Sequence, residues 1–304
     1  MSVRAAGPAT NRQSRPDIAN AASRQPVGRA DRMEEERDIV GTVVPTSLTL
    51  SQGDVTRNTK ARPLLDLVVP ALNEEARIGG TISAISDVVA ARQLPVRIIV
   101  VDNGCVDTTA SVADSCSRRT GVPIEVISCQ TRGKGAAVRA GVLHGTAPYV
   151  GYCDADLPVP AEAIEWAVDL LDSGWEVVIG SRRCAGAQYV VRQPRVRRIG
   201  SAVFRAMSGG ARGRVSDTQC GFKFFTRSVA QRVFRESCLN GFAFDVEVVA
   251  RTLHLKPRLI EMPVPWEDRD GSSFRPLGDG TRSMLDLYSV RRRVRRWMLL
   301  EGSA

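Results

Sequence analysis

From Leu64 to Ile179 the chain repeats one pattern: a short unbroken apolar run, a turn, then a longer amphipathic stretch. The apolar runs are Leu64–Pro70, Val96–Val101, Pro123–Ser128, Tyr149–Cys153 and Trp175–Ile179. The stretches between them are Glu75–Ala91, Thr108–Arg118, Gly135–His144 and Pro160–Leu171. In the first of these, Ile78, Ile82, Ile85 and Val89 fall on one helical face. Strands without polar alternation must be covered on both faces, and strands separated by helices pair in parallel through crossovers. The pattern predicts an α/β fold, a mostly parallel sheet flanked by helices. Ligands of such sheets bind at the carboxyl ends of the strands.

The pattern is confined to part of the chain. Residues 1–62 are rich in Ala, Arg, Pro, Ser and acids with no sustained apolar period, and are expected to form a disordered N-terminal tail. Residues 63–280 are expected to form one catalytic-size α/β domain, and residues 281–304 a basic amphipathic helix. In the second half, Asp217–Phe225 leads into a strand, a helix opens near Phe242 and runs to about Leu253, and Pro257–Met262 reads as a strand.

The formal charge of +9 favours acidic partners such as phosphates, nucleotides or anionic lipid. Seven singly placed cysteines without a Cys-x-x-Cys point to a reduced, cytoplasmic setting. Only His144 and His254 are present, which argues against zinc sites and histidine-based triads. No run of 18 apolar residues and no secretory signal are found, so no spanning segment is expected.

Polar residues gather at the predicted strand exits: Asn73 to Glu75, Asp102 and Asn103, Arg132 to Gly135, and the pair Asp154 and Asp156. In a strand, residues i and i+2 face one side, so Asp154 and Asp156 can point at one spot. Two such acids repel unless a cation sits between them. A hard divalent ion, Mg²⁺ or Mn²⁺, suits oxygen donors and could hold a diphosphate; the plain alternative is a turn with two solvated acids. Arg132-Gly133-Lys134-Gly135 precedes a helix, where glycines, the helix dipole and Lys134 suit an anion, although no Walker sequence is present. The Asp102 carboxylate could accept from a base N–H or a ribose hydroxyl, or form an Asx-turn before a helix capped by Asp107.

These motifs, Val69 to Glu75, Val101 to Asp107, Gly133 to Gly135 and Asp154-Ala155-Asp156, resemble the ordered motifs of family 2 glycosyltransferases with a GT-A (Rossmann-like) fold. Asp217 to Lys223, followed by Ala243 to Glu247, resembles the dolichyl-phosphate β-glucosyltransferase branch, within the wider group of polyprenyl-phosphate glycosyltransferases. The resemblance implies that Pro70, Ala71, Asn73, Glu75, Asp102 and Asn103 line the nucleotide pocket. It implies that Asp154, Ala155 and Asp156 hold metal and diphosphate, that Lys134 and Arg182 contact phosphates, and that Asp217, Gln219, Lys223 and Asp245 form the sugar and acceptor side. The chain departs from the pattern at Leu72, where Tyr is usual, at Asn103, where a second Asp is usual, and at Pro158, where the mannosyl branch has Gln.

The expected activity is an inverting, metal-dependent transfer of glucose from UDP-glucose to a polyprenyl or dolichyl phosphate. The alternative is a tailoring glycosyltransferase acting on a natural product, nucleoside or peptide. It is motivated by the departures and by the lack of a counterpart to the relatives' N-terminal anchor. A hydroxyl or thiol acceptor would need a base, for which Asp217 or Asp245 is the candidate. In the last helix, Leu287, Val290, Val294 and Trp297 form a stripe flanked by Arg291, Arg292, Arg293, Arg295 and Arg296. Such a helix can pack on the domain or lie on an anionic membrane, here the cytoplasmic face. Nucleic acid is not expected as a partner, since no recognised motif for it is present.

Overall fold

The computed structural model describes residues 40–42, 62–187 and 215–265. The strands are β1 (Val40–Thr42), β2 (Leu65–Ala71), β3 (Val96–Asp102), β4 (Ile124–Ser128), β5 (Tyr149–Tyr152), β6 (Val177–Ser181), β7 (Lys223–Thr226) and β8 (Leu259–Pro263). The helices are α1 (Glu75–Ala91), α2 (Thr109–Thr120), α3 (Lys134–His144), α4 (Ala163–Asp172), α5 (Arg227–Arg235) and α6 (Phe244–Leu255). The strands form one sheet in the order β1-β8-β6-β7-β5-β2-β3-β4. All pairs are parallel except those of β7, which runs antiparallel to both β5 and β6.

The expected mostly parallel sheet is therefore present, with one reversed strand in its middle. The segment read as tail contributes the edge strand β1, with Val40 beside Leu259. Helix α5 was not anticipated, although Val229, Ala230, Val233 and Phe234 carry a helical apolar spacing and are all buried. The arginine-rich stretch 188–198 and the basic helix 281–304 lie outside the described residues.

The sheet separates two apolar cores. On one face Leu67, Val69, Ile98 and Val100 pack with Ile78, Ile82, Ile85 and Val89 of α1 and with residues of α2 and α4. On the other face Val68, Ile99, Val101 and Tyr152 pack with α3, α5 and α6. Gly141 brings α3 onto the sheet, because a Cβ there would lie 2.4 Å from Val68 and 2.9 Å from Val101. Asp66, fully buried near the start of β2, accepts from Arg97 Nε at 2.8 Å and from the Ala147 amide at 2.8 Å. A buried carboxylate is tolerable only when paired in this way. This cluster lies at the opposite end of the strands from the polar exits, and His144 belongs to it through Glu125, 2.7 Å away.

Candidate active site

The exits of β2 and β3 are tied to each other. Asn73, in the left-handed region at φ 55°, accepts from the Val106 amide at 2.9 Å. Glu75 accepts from the Thr108 amide at 3.0 Å and its hydroxyl at 2.7 Å, while the Glu75 amide donates to Asp107 at 3.2 Å. Asp107 also caps α2 through the Thr109 amide at 3.0 Å, as expected. Asp102 forms the anticipated Asx-turn, accepting from the Cys105 amide at 2.8 Å and the Gly104 amide at 3.1 Å with one oxygen. Pro70 and Ala71 end β2 beside Val101 and Asp102. Of the residues assigned to a nucleotide pocket, Asn73 and Glu75 thus spend their side chains on shaping the loops.

Asn103 does the same, one strand further along. Its amide nitrogen donates to the carbonyls of Thr131 at 2.7 Å and Cys129 at 3.2 Å, and its amide oxygen accepts from Gly133 N–H at 2.7 Å. The side chain is 3 % exposed. Its amide is turned into the lysine loop, not outward toward a base. Across that loop, the carbonyl of Asn240 accepts from Gly135 at 2.8 Å and Ala136 at 3.3 Å. Two of the first-turn donors of α3 expected to serve an anion, those of Gly135 and Ala136, therefore already serve a backbone carbonyl, and the loop's cations are Arg132 and Lys134. Gly133 has φ 123°, and a Cβ on it would meet the Asn240 carbonyl oxygen at 2.2 Å, so this turn requires glycine.

The Lys134 ammonium lies 2.5 Å from Asp154. Burial works against its charge, but Asp154, Asp245 and Asp156 outweigh that and hold its pKa above the ordinary lysine value. The turn after β5 is tight: the Leu157 amide donates to Asp154 O at 3.0 Å and Leu157 has φ 42°. A left-handed leucine is uncommon and is strained. The hydroxyl of Thr81 in α1 donates to Ala155 O at 2.6 Å and fixes the middle of the turn. Burial, then the neighbouring charge of Asp154, raises the Asp156 pKa, opposed by Lys134 and Arg77. Glu74 is likewise raised, by burial first, with Asp156 adding to it and Arg77 opposing. Among the described residues no three His, Cys, Asp or Glu side chains gather as a metal cage. Asp154 and Asp156 are two hard oxygen donors whose repulsion is only partly compensated. That fits an ion completed by substrate oxygens and water, the usual habit of Mg²⁺.

Two expectations for the acceptor side change on inspection. Arg182 was expected to contact phosphate, and Asp217 to serve as base if the acceptor is a hydroxyl or thiol; the two are clasped together. Arg182 Nε donates to Asp217 at 2.6 Å and the guanidinium's second arm at 2.9 Å. Burial alone would raise the Asp217 pKa, but the hydrogen bonds and charge of Arg182 bring it below the usual carboxylate value. An acid so held is a weak base. The Gln219 amide donates to Asp217 at 3.2 Å, placing Gln219 at the same turn. Asp245, the other candidate base, is 3 % exposed and accepts from Tyr152 at 2.7 Å and from Lys223 at 2.5 Å. Lys223 is fully buried and also donates to Cys220 O at 2.6 Å. This triad sits beneath the site.

Three contributors were not singled out from the sequence. Glu261 of β8 accepts from the Ser216 amide at 2.9 Å and the Asp217 amide at 3.2 Å, anchoring the turn that carries Asp217. A single acid inside the apolar run Leu259–Pro263 was its visible signal. Gly221 lies against the Asp154 carboxylate, and Tyr152 carries Asp245; neither contact has a local sequence signature.

The model of Glycosyl transferase family 2 matches residues 66–234. A dolichyl-phosphate beta-glucosyltransferase from Drosophila melanogaster is 30% identical over 242 residues, 74% of this chain and 74% of the relative. The Homo sapiens protein of that name is 29% identical, covering 75% of each. Among solved structures, Mycobacterium tuberculosis glucosyl-3-phosphoglycerate synthase, in complex with Mn²⁺, UDP and phosphoglyceric acid, superposes with a TM-score of 0.60. It is 20% identical and covers 84% of this chain and 86% of that one. The same enzyme has been solved with Mg²⁺ and UDP, at a TM-score of 0.58 and 20% identity over 76% of this chain and 79% of that one. With the acidic pair at the exit of β5, the lysine loop beside it and a family match spanning the sheet from β2 to α5, the chain belongs to glycosyl transferase family 2 and is a glycosyltransferase.

Proposed function

We propose that this glycosyltransferase moves glucose from UDP-glucose to a polyprenyl phosphate, inverting the anomeric carbon. The observation that carries the reading is the engagement of both candidate bases. Asp217 is neutralised by Arg182, and Asp245 is buried under Lys223 and Tyr152. A hydroxyl acceptor must lose a proton during attack and would call on one of them. A phosphate monoester has a second pKa of about 6 and is already largely ionised at neutral pH. Its oxygen can attack C1 directly, opposite the leaving diphosphate, while the C1–O bond electrons pass to that diphosphate. The names of the curated relatives support the same donor sugar and acceptor class.

In this reading Asp102 faces the nucleobase and Lys134 the diphosphate. Asp154 and Asp156 would hold Mg²⁺ or Mn²⁺, which when bound neutralises charge on the leaving group. Lys134 adds a second cation to that task, and its raised pKa keeps it charged throughout the working range. Among the described residues no helix is long and apolar enough to cross a membrane. The basic stripe around Leu287, Val290, Val294 and Trp297 is the proposed means of peripheral contact with an anionic surface carrying the acceptor.

The test is product detection by mass spectrometry. A panel of nucleotide sugars is offered with Mn²⁺ against a polyprenyl phosphate and against hydroxyl acceptors. A glucosyl phosphodiester formed from UDP-glucose is the expected product. Transfer to hydroxyls with none to the phosphate would replace this reading by the tailoring one.

A further inference from the structure

Asn103 stands where the nucleotide-pocket pattern carries an acid, yet its side chain makes three hydrogen bonds that all belong to the lysine loop. The two carbonyls of Cys129 and Thr131 can be met only by an NH₂ group, and the Gly133 amide only by an oxygen. A primary amide is the one short side chain that satisfies all three at once. The loop is clamped from the other side by Asn240, whose carbonyl takes the Gly135 amide at 2.8 Å and whose side chain accepts from Arg139 at 3.0 Å. Between the two clamps stands Lys134, with its ammonium on Asp154. Gly133 permits the close approach of the two clamps, because at φ 123° a Cβ would meet the Asn240 carbonyl oxygen at 2.2 Å.

We propose that Asn103 is a positioning residue for Lys134: it fastens the exit of β3 to the lysine loop and so sets the cation against the donor's diphosphate. The proposal rests on the reading of Lys134 as a diphosphate contact. An aspartate at 103 would keep the bond from Gly133 but lose both donations and turn a charge on two carbonyl oxygens. The loop would be pushed away from β3, and Lys134 with it. The neighbouring Asp102 turn closes on the amides of Gly104 and Cys105 and uses no atom of the Asn103 side chain, so the base side of the pocket is left in place.

The experiment compares Asn103→Asp, Asn103→Ala and Lys134→Ala with wild type, using two probes in Mn²⁺ buffer: uridine by ligand-observed NMR and UDP by calorimetry. Thermal unfolding checks that each variant folds, and Asn103→Ala carries the comparison if the aspartate variant does not. The expected result is uridine affinity within about twofold of wild type and UDP affinity down on the order of tenfold, about 1.4 kcal/mol, with kcat for transfer falling more than the donor KM rises. Equal losses for uridine and UDP would mean that Asn103 reads the base or supports the whole pocket, and would overturn the proposal. So would an unchanged UDP affinity in both Asn103 variants while Lys134→Ala loses it. If Lys134→Ala itself binds UDP as wild type does, the diphosphate reading falls, and the proposal with it.

Discussion

A Cβ on Gly221 would lie 2.4 Å from one carboxylate oxygen of Asp154 and 2.6 Å from the other. The two residues are brought together by β7, which sets Lys223 opposite Tyr152 where β5 leaves the sheet and β7 enters it. The Asp154 carboxylate therefore occupies space that any other residue at 221 would fill.

Gly221→Ala should displace that carboxylate. Because the clash is with the side chain and not with backbone, the protein is expected to fold at a cost of roughly 1–3 kcal/mol. Mn²⁺ affinity and transfer rate should both fall by about tenfold or more, a loss of about 1.4 kcal/mol or more in each. Calorimetric titration of Mn²⁺ beside a thermal melt separates the two effects. A variant that melts lower but binds Mn²⁺ normally would show that Asp154 has other room.

Asp156→Asn should exchange function for stability. The Asp156 pKa is raised, by burial and then by Asp154, so its charged form is disfavoured in the folded protein. Removing that charge should raise the melting temperature in EDTA at neutral pH while abolishing metal-stimulated transfer. A lower melting temperature together with undiminished transfer in EDTA would refute both halves.

Asp217 predicts an acid limb to stability. Its folded pKa lies below the unfolded value of about 3.9, so the stability it contributes is complete above that value. It is lost as pH falls through the lower, folded pKa. In Arg182→Ala the cause of the lowering is gone and burial dominates, so the folded pKa moves above the unfolded value and this acid-side loss should disappear or reverse. Melting temperatures measured from pH 6 downward should carry this acid-side loss in wild type and lack it in both Arg182→Ala, which is less stable at neutral pH, and Asp217→Asn. Superimposable curves for wild type and Arg182→Ala would dismiss the pair as the origin.

Lys223→Met should be among the most damaging single changes, since it leaves Asp245 buried with the Tyr152 hydroxyl as its remaining hydrogen-bond donor and the Lys134 charge farther off. Breaking a buried pair from one side costs about 3–5 kcal/mol, whereas Lys223→Met with Asp245→Leu removes both charges and should recover much of it. Tyr152→Phe should cost about 1 kcal/mol. Denaturant titrations of the four proteins give these differences directly; a double variant no better than the single would mean that the ion pair itself stabilises the fold.

Local order was readable where it depended on neighbours in the chain. The alternation of apolar runs and helical stripes placed β2 to β6 and α1 to α4 within a few residues, and the acid pair at the exit of β5 was visible from its spacing alone. What escaped were relations across the sequence. Nothing near Asn103 announces carbonyls 26 and 28 residues away. The clasp of Arg182 on Asp217 spans 35 residues, and only burial of both turns it from two candidate site residues into one neutral unit. The reversal of β7 was equally hidden, because Lys223–Thr226 carries no mark of direction. The motifs marked the loops; which of their side chains turn inward to build them depends on partners far along the chain.

The reversed strand also dictates an order of assembly. Among the described residues, strand β6 pairs with β7 and β8 alone, and β5 meets only β2 until β7 arrives. A chain emerging from the ribosome must hold β6 unpaired until residues 223–226 and 259–263 have been made. During that interval two apolar edges stand open, the situation in which strands recruit foreign partners. The same late arrival brings Gly221 against Asp154 and Lys223 beneath Tyr152. The turn that carries Asp154 therefore takes its final form only after these residues have been made, and Mn²⁺ binding at the proposed site is expected only once the last strands have closed the sheet.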